Sequence, residues 1–289
     1  MPSPRAASVS RHLTRIRRNW TAFRRRLRRW QGRACDARRR FGAAPRPLRV
    51  TALSLAAVLL FSATDLAYQV IRKPTELFFP VSGAFGKSPA ATWRHYEAYF
   101  RDYSTARIAP ELLAALAQVE AAGNPVARTY WRWQLSWNPF AIYQPASSAV
   151  GMFQMTDPAF AEARRHCIRD HRVVDDGAWG DWRGCWFNGL YTRVLPGHAI
   201  ELAAIYLDRK VAAVLAGLTG APPSPQQVQD LAALIHLCGT GPAGTYARRG
   251  FRLTPGQRCG DHDAATYLAG VNAMTRQFRR LAAAAGAQP

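Results

Sequence analysis

Acidic residues are scarce in this chain of 289 residues, where 18 Asp+Glu face 39 Lys+Arg for a formal net charge of +21. The scarcity is concentrated at one end. Residues 1–49 contain a single acid, Asp36, beside sixteen Arg, and the remainder holds 23 bases against 17 acids. A nucleic-acid-binding domain carries its basic patch on the folded part, so no nucleic acid partner is expected here. Sustained apolar–polar alternation is also missing, which argues against a β-sandwich or barrel. Long uncharged runs are equally rare. One exists, and a chain with one is too short and too segmented for a multi-span transporter.

That run reads ALSLAAVLLFSA from Ala52 to Ala63, inside an uncharged stretch from Val50 to Thr64. With Asp65 and Gln69 at an interface it extends to Ile71, where Arg72 and Lys73 stop it. A spanning helix needs roughly 20 mostly apolar residues, and a soluble core helix would show a polar face that this stretch lacks. The Arg-rich flank places the N-terminus in the cytoplasm, so the chain beyond the span is expected to be exported. A cleaved signal peptide is the rival reading, but its n-region is short and no clean A-x-A site succeeds the run. Within the arm, Ile16, Trp20, Phe23, Leu27 and Trp30 recur at spacings of three and four. This is the pattern of a basic amphipathic helix on anionic lipid, with a nucleic-acid-binding tail as the alternative.

Cysteine is sparse, with Cys35 in the arm and Cys167, Cys185, Cys238 and Cys259 on the exported side. Four cysteines allow three connectivities. Proximity in sequence favours Cys167–Cys185 and Cys238–Cys259, each closing a loop worth ~3 kcal/mol in the chain-entropy model. His166, Cys167, His171 and Cys185 crowd together as a zinc alternative, yet their spacing matches no paired-ligand pattern.

The division expected is an Arg-rich cytoplasmic arm (1–49), a transmembrane signal-anchor (50–71), a linker rich in Pro and Gly (72–91) and an exported domain (92–285). Trp93, Tyr96, Phe100 and Tyr103 follow helical spacing, and Pro110 opens a second helix that stops before Gly123 and Pro125. Further helices are expected over Pro158–Cys167, Gly197–Leu215, Pro225–Leu237 and Ala264–Ala285, with long loops at 124–150 and 168–196. The domain therefore reads as all-α. Within it Glu120 breaks the pattern. It follows Leu112 and Leu116 at spacings of four, which puts a carboxylate on an apolar face. Partial desolvation there favours the protonated form that a general acid needs. Pairing with Arg128 or Arg132 is the structural alternative.

Four segments then appear in order: QVEAAGNP at Gln118–Pro125, SSAVGMFQMTDPAF at Ser147–Phe160, HLCGTGPAGTY at His236–Tyr246 and TYLAGV at Thr266–Val271. This order resembles the soluble lytic transglycosylase (SLT) family, which has a lysozyme-like fold and cleaves peptidoglycan glycan strands. Glu120, Asn124 and Pro125 keep the first motif's spacing, with Ala121 where the family has Ser. Ser148-Ala149-Val150-Gly151-Met152-Phe153-Gln154 matches the second. Leu237 to Pro242 keeps only Gly-Pro of the third, and Tyr267-Leu268 stands for the fourth.

The resemblance implies Glu120 as the catalytic residue, with Gln154, Met152, Gly151, Tyr267 and Asn124 along the substrate groove, peptidoglycan as partner, and no cofactor or metal. It further implies that Glu120 protonates the glycosidic oxygen between N-acetylmuramic acid and N-acetylglucosamine, then takes the proton of the muramoyl 6-hydroxyl as a 1,6-anhydro ring closes without water. Tyr130, Trp131, Trp133 and Trp137, with Trp179, Trp182 and Trp186, suit sugar stacking or core packing. The alternatives are a hydrolytic muramidase, with Asp157 or Asp181 activating water, and a non-catalytic glycan-binding scaffold.

Overall fold

The computed structural model describes residue 39 and residues 41–78, 81–175 and 184–286. The arm helix around Trp20, and with it Cys35, Trp179, Asp181 and Trp182, lies outside the described residues. Two compact units are present, residues 1–66 and 67–289. The structure is mostly helical, as expected, with a minor share of strand.

Helix α1 (Arg46–Arg72) begins four residues before the expected span and ends at the expected charge. It is long and apolar enough to cross a membrane, with Leu55, Val58, Leu59 and Leu60 exposed. At 1.5 Å per residue its length is about 40 Å. The stretch read as a linker is instead partly built into the second unit. It forms 3-10 turns at Pro74–Phe78 and Ser82–Phe85, with Thr75 and Glu76 buried.

Helix α2 (Pro89–Asp102) is capped by Ser88, whose hydroxyl accepts from Ala91 N–H at 3.3 Å, and it buries Trp93, Tyr96 and Phe100. Helix α3 (Pro110–Ala121) opens on proline and ends on the left-handed pair Ala122 and Gly123. A Cβ on Gly123 would run into the Thr92 side chain, so glycine is needed where α3 closes on α2. The expected loop 124–150 contains a hairpin, β1 (Trp131–Trp133) against β2 (Tyr143–Pro145), with Trp133 facing Tyr143 in register.

Helix α4 (Asp157–Ala163) stops four residues short of the expected Cys167, because β3 (His166–Arg169) and β4 (Arg172–Asp175) form a second hairpin. Its turn, Asp170-His171, has both residues at positive φ, as the two-residue turns matched to strand twist require. Helices α5 (Pro196–Ala216) and α6 (Pro225–Cys238) lie within a residue of expectation, and a Ser224–Gln227 capping box starts α6. Helix α7 (Thr240–Arg248), which the sequence did not announce, precedes the short hairpin β5 (Arg258–Cys259) and β6 (His262–Asp263), then α8 (Ala264–Gly286). Leu112, Leu113, Leu116, Ile200, Leu202, Ile205 and Phe278 fill one core, with α8 packed along α3.

Both expected disulfides are present. Cys167 and Cys185 have their Cα atoms 5.3 Å apart, and Cys238 and Cys259 5.2 Å. The bonded Cys167 and Cys185 are therefore not free thiolate ligands for zinc.

Candidate active site around Glu120

Glu120 lies in the last turn of α3, and its side chain is 19% exposed. Three elements distant in sequence meet at this carboxylate. From the first turn of α8, Tyr267 donates its phenolic O–H to Glu120 Oε1 at 2.5 Å. From the end of α6, His236 Nε2 stands 3.5 Å from the same oxygen. Burial pushes the Tyr267 phenol well above its ordinary range, and the Glu120 charge pushes the same way. Tyr267 therefore stays protonated and acts as a donor.

The scaffold around these groups is local and tight. Cys238, two residues after His236, is bonded to Cys259 in the hairpin that leads into α8. Asp263 caps that helix by accepting from Thr266 N–H at 2.8 Å, and this bond holds its carboxyl below the usual range. One disulfide and one cap thus tie His236 and Tyr267 to the same short piece of chain.

The other residues expected in the groove are placed differently. Met152 is fully buried in the core beside Phe153, so it cannot line an open groove. Asn124 is buried too, and its amide is occupied, donating to Ser82 C=O at 2.6 Å and accepting from Val126 N–H at 3.0 Å. These bonds shape the turn after α3. Gly151 sits at φ +78°, and a Cβ there would collide with the Arg193 carbonyl. Gln154 is half-buried at φ +45°, with its amide donating to Gly151 C=O at 2.9 Å. The second motif is therefore a close-packed turn. None of these four makes a described hydrogen bond to Glu120.

The aromatic residues split as well. Trp131 donates its indole N–H to the buried Glu76 at 2.7 Å, and Trp133 stacks on Tyr143 with ring centroids 4.5 Å apart. Tyr130 and Trp137 stand exposed, and Trp186 packs edge-on to Phe187. Asp157 is held by Arg193 at 2.7 Å.

Sequence reasoning passed over His236 and, among the buried carboxylates, Glu201 and Glu76. Glu201 in α5 accepts from Ile168 N–H at 2.9 Å and Tyr191 O–H at 2.8 Å, fastening the second hairpin and the 186–191 turn to the helix. Glu76 pairs with Lys73 at 3.4 Å and Arg128 at 3.5 Å. Burial lowers the Lys73 ammonium, against the pull of Glu76. Only an acid inside a proline-marked stretch hinted at Glu76, because Lys73 is its one near partner and Arg128 and Trp131 lie some 50 residues on. Neither a known family model nor any curated protein matches this chain.

Proposed function

We propose that this chain is a membrane-anchored lytic transglycosylase that cleaves peptidoglycan strands on the periplasmic side of a bacterial inner membrane, using a lysozyme-like domain. The observation that carries the reading is the bond between Tyr267 and Glu120. It joins two motif segments 147 residues apart at one carboxylate, in a chain whose motif order resembles the SLT family. In the proposed reaction Glu120 gives its proton to the glycosidic oxygen as the bond to the muramoyl C1 breaks. It then accepts the proton of the 6-hydroxyl, whose oxygen closes on C1. No water enters, so one carboxylate serves both steps, where ordinary glycosidases use a flanking pair. Tyr267 orients the acid, and His236 offers a second polar contact beside it.

Hydrolysis on the same fold is the second reading, with Asp157 or Asp181 activating water. The close pairing of Asp157 with Arg193 disfavours Asp157 in that role, since that carboxylate is already committed, and Asp181 lies outside the described residues. The discriminating experiment is digestion of sacculi by the detergent-solubilised full chain, read by mass spectrometry. Anhydro-muramoyl ends are expected. Reducing ends would replace the lyase by a hydrolase, and binding without cleavage would leave a scaffold. Glu120→Gln should lower the rate by ~10²–10⁴-fold or more, and an equally active variant would move the chemistry elsewhere.

A further inference from the structure

The structure holds a second site, unrelated to Glu120. A cleft of about 270 Å³ is lined by Arg72, Lys73, Arg132, Arg193 and Ser148, with Asp157 as its one acid. Two of its cations, Lys73 and Arg193, are held in place. Lys73 donates to Thr129 Oγ1 at 3.3 Å and to Ser147 C=O at 3.2 Å. Arg193 donates to Ser148 C=O at 3.0 Å and Met155 C=O at 2.7 Å. Lys73 is paired with the buried Glu76 at 3.4 Å and Arg193 with Asp157 at 2.7 Å, so the cationic surplus of the cleft is carried by the exposed Arg72 and Arg132 and suits a phosphate anion.

The β1–β2 connection adds an independent observation. Phe140 stacks on Tyr68 of α1 with ring centroids 4.7 Å apart, and Gln69 donates its amide to Phe140 C=O at 2.8 Å. The connection is thus fastened three or four residues before Arg72, about 5 Å along the helix axis. Leu135 and Trp137 of this connection are fully exposed, and Trp133 is 74% exposed. Tryptophan beside a cation, next to the point where an apolar helix ends, is the composition of a membrane interface. Arg72 directly follows Ile71, where the apolar run stops, so a bilayer spanned by α1 would have Arg72 at headgroup level.

We propose that the 134–142 connection inserts Trp137 and Leu135 into the membrane interface, and that the Arg72–Lys73–Arg132–Arg193 cleft binds the phosphate of an anionic lipid headgroup. This rests on the reading that α1 spans a bilayer. The seat lies at the opposite end of the span from the Arg-rich arm. It would hold the domain down on the lipid instead of leaving it on a free tether.

The test uses the full chain in vesicles of one composition, phosphatidylcholine with phosphatidylglycerol, carrying bromine on the acyl chains of one lipid or the other. The difference in fluorescence quenching between wild type and Trp137→Phe isolates Trp137. Quenching should be stronger with bromine on phosphatidylglycerol. Each basic residue near an anionic surface is worth about 5-fold in binding, so Arg72→Gln with Arg132→Gln should lower that preference by up to ~30-fold. Equal quenching from both lipids, unchanged by the charge variants, would overturn the headgroup site. Loss of the preference on adding inorganic phosphate would assign the cleft to free phosphate instead. A Trp137 open to aqueous iodide and unquenched by either lipid would overturn the insertion. Release of the chain by alkaline carbonate would refute the spanning reading itself, separately from these outcomes.

Discussion

Glu76→Gln is the sharpest structural test, because it changes one charge while keeping shape. The Glu76 side chain is 0% exposed, Lys73 10% and Arg128 17%. Glutamine can still accept from the Trp131 indole, whose bond to Glu76 is 2.7 Å, so packing is conserved. What is lost is the counter-charge for two largely buried cations. Breaking a buried ion pair from one side costs about 3–5 kcal/mol. Arg128 keeps some access to water and Lys73 can shed its proton, so the lower end applies, about 3 kcal/mol. For a unit of this size that amounts to a fall in Tm of roughly 6–12 °C. Adding Lys73→Met should recover part of the loss, because it removes one stranded cation. Differential scanning calorimetry gives the number, and limited trypsinolysis gives the location, as cleavage after Arg72 should speed up while the Lys73–Pro74 bond resists the protease. A shift below about 2 °C, with no change in cleavage, would mean that residues 73–78 are held by something other than this ion cluster.

Two more outcomes are expected from specific contacts. Tyr267→Phe removes the donor to Glu120. A hydrogen bond to a charged group contributes about 1.5–3 kcal/mol, so turnover should fall ~10–100-fold; sacculus binding should be unchanged in a pull-down, and unchanged turnover would remove Tyr267 from the site. His166 is held below its ordinary 6.5, mainly by burial and then by Arg209, against the pull of Asp175. The unfolded chain therefore binds the proton more readily, and stability contributed by neutral His166 is complete above pH 6.5 and declines as the pH falls below it. His166→Gln should flatten the slope of Tm against pH in that window, and an unaltered slope would assign it to other groups such as His198, which burial also lowers.

Legibility in the sequence followed the locality of the physics. Helices opened by proline behind a small or polar residue were readable to within a residue, as at Pro110 and Pro225, because capping and φ restriction act over one turn. The disulfides were readable from closeness along the chain. The His166–Asp175 hairpin was not, since its turn is Asp170-His171 with no glycine to advertise positive φ. Helix α7 hid behind Gly239, Gly241, Pro242 and Gly244, a composition that reads as a loop until Ala243, Tyr246 and Ala247 are seen buried against the core. Glu120 stood out because it interrupts an apolar stripe on its own helix. His236 did not, because its partner lies on another helix and only tertiary packing brings them together.

The second motif carries the clearest lesson about what a matched pattern means. Gly151, Met152 and Gln154 lie in the segment expected, from resemblance alone, to face a substrate, yet Gly151 leaves room for the Arg193 backbone and Met152 fills the core. Arg193 in turn ties Ser148 to Met155 through one guanidinium nitrogen and reaches Asp157 with the other. The same arginine forms a wall of the basic cleft. A residue larger than glycine at 151 would displace the Arg193 carbonyl, and with it the guanidinium on which the cleft and the 148–157 turn both depend. The requirement for glycine in this motif is thus explained by backbone proximity alone, with no sugar contact needed. The case for catalysis in this chain therefore rests on Glu120 and Tyr267.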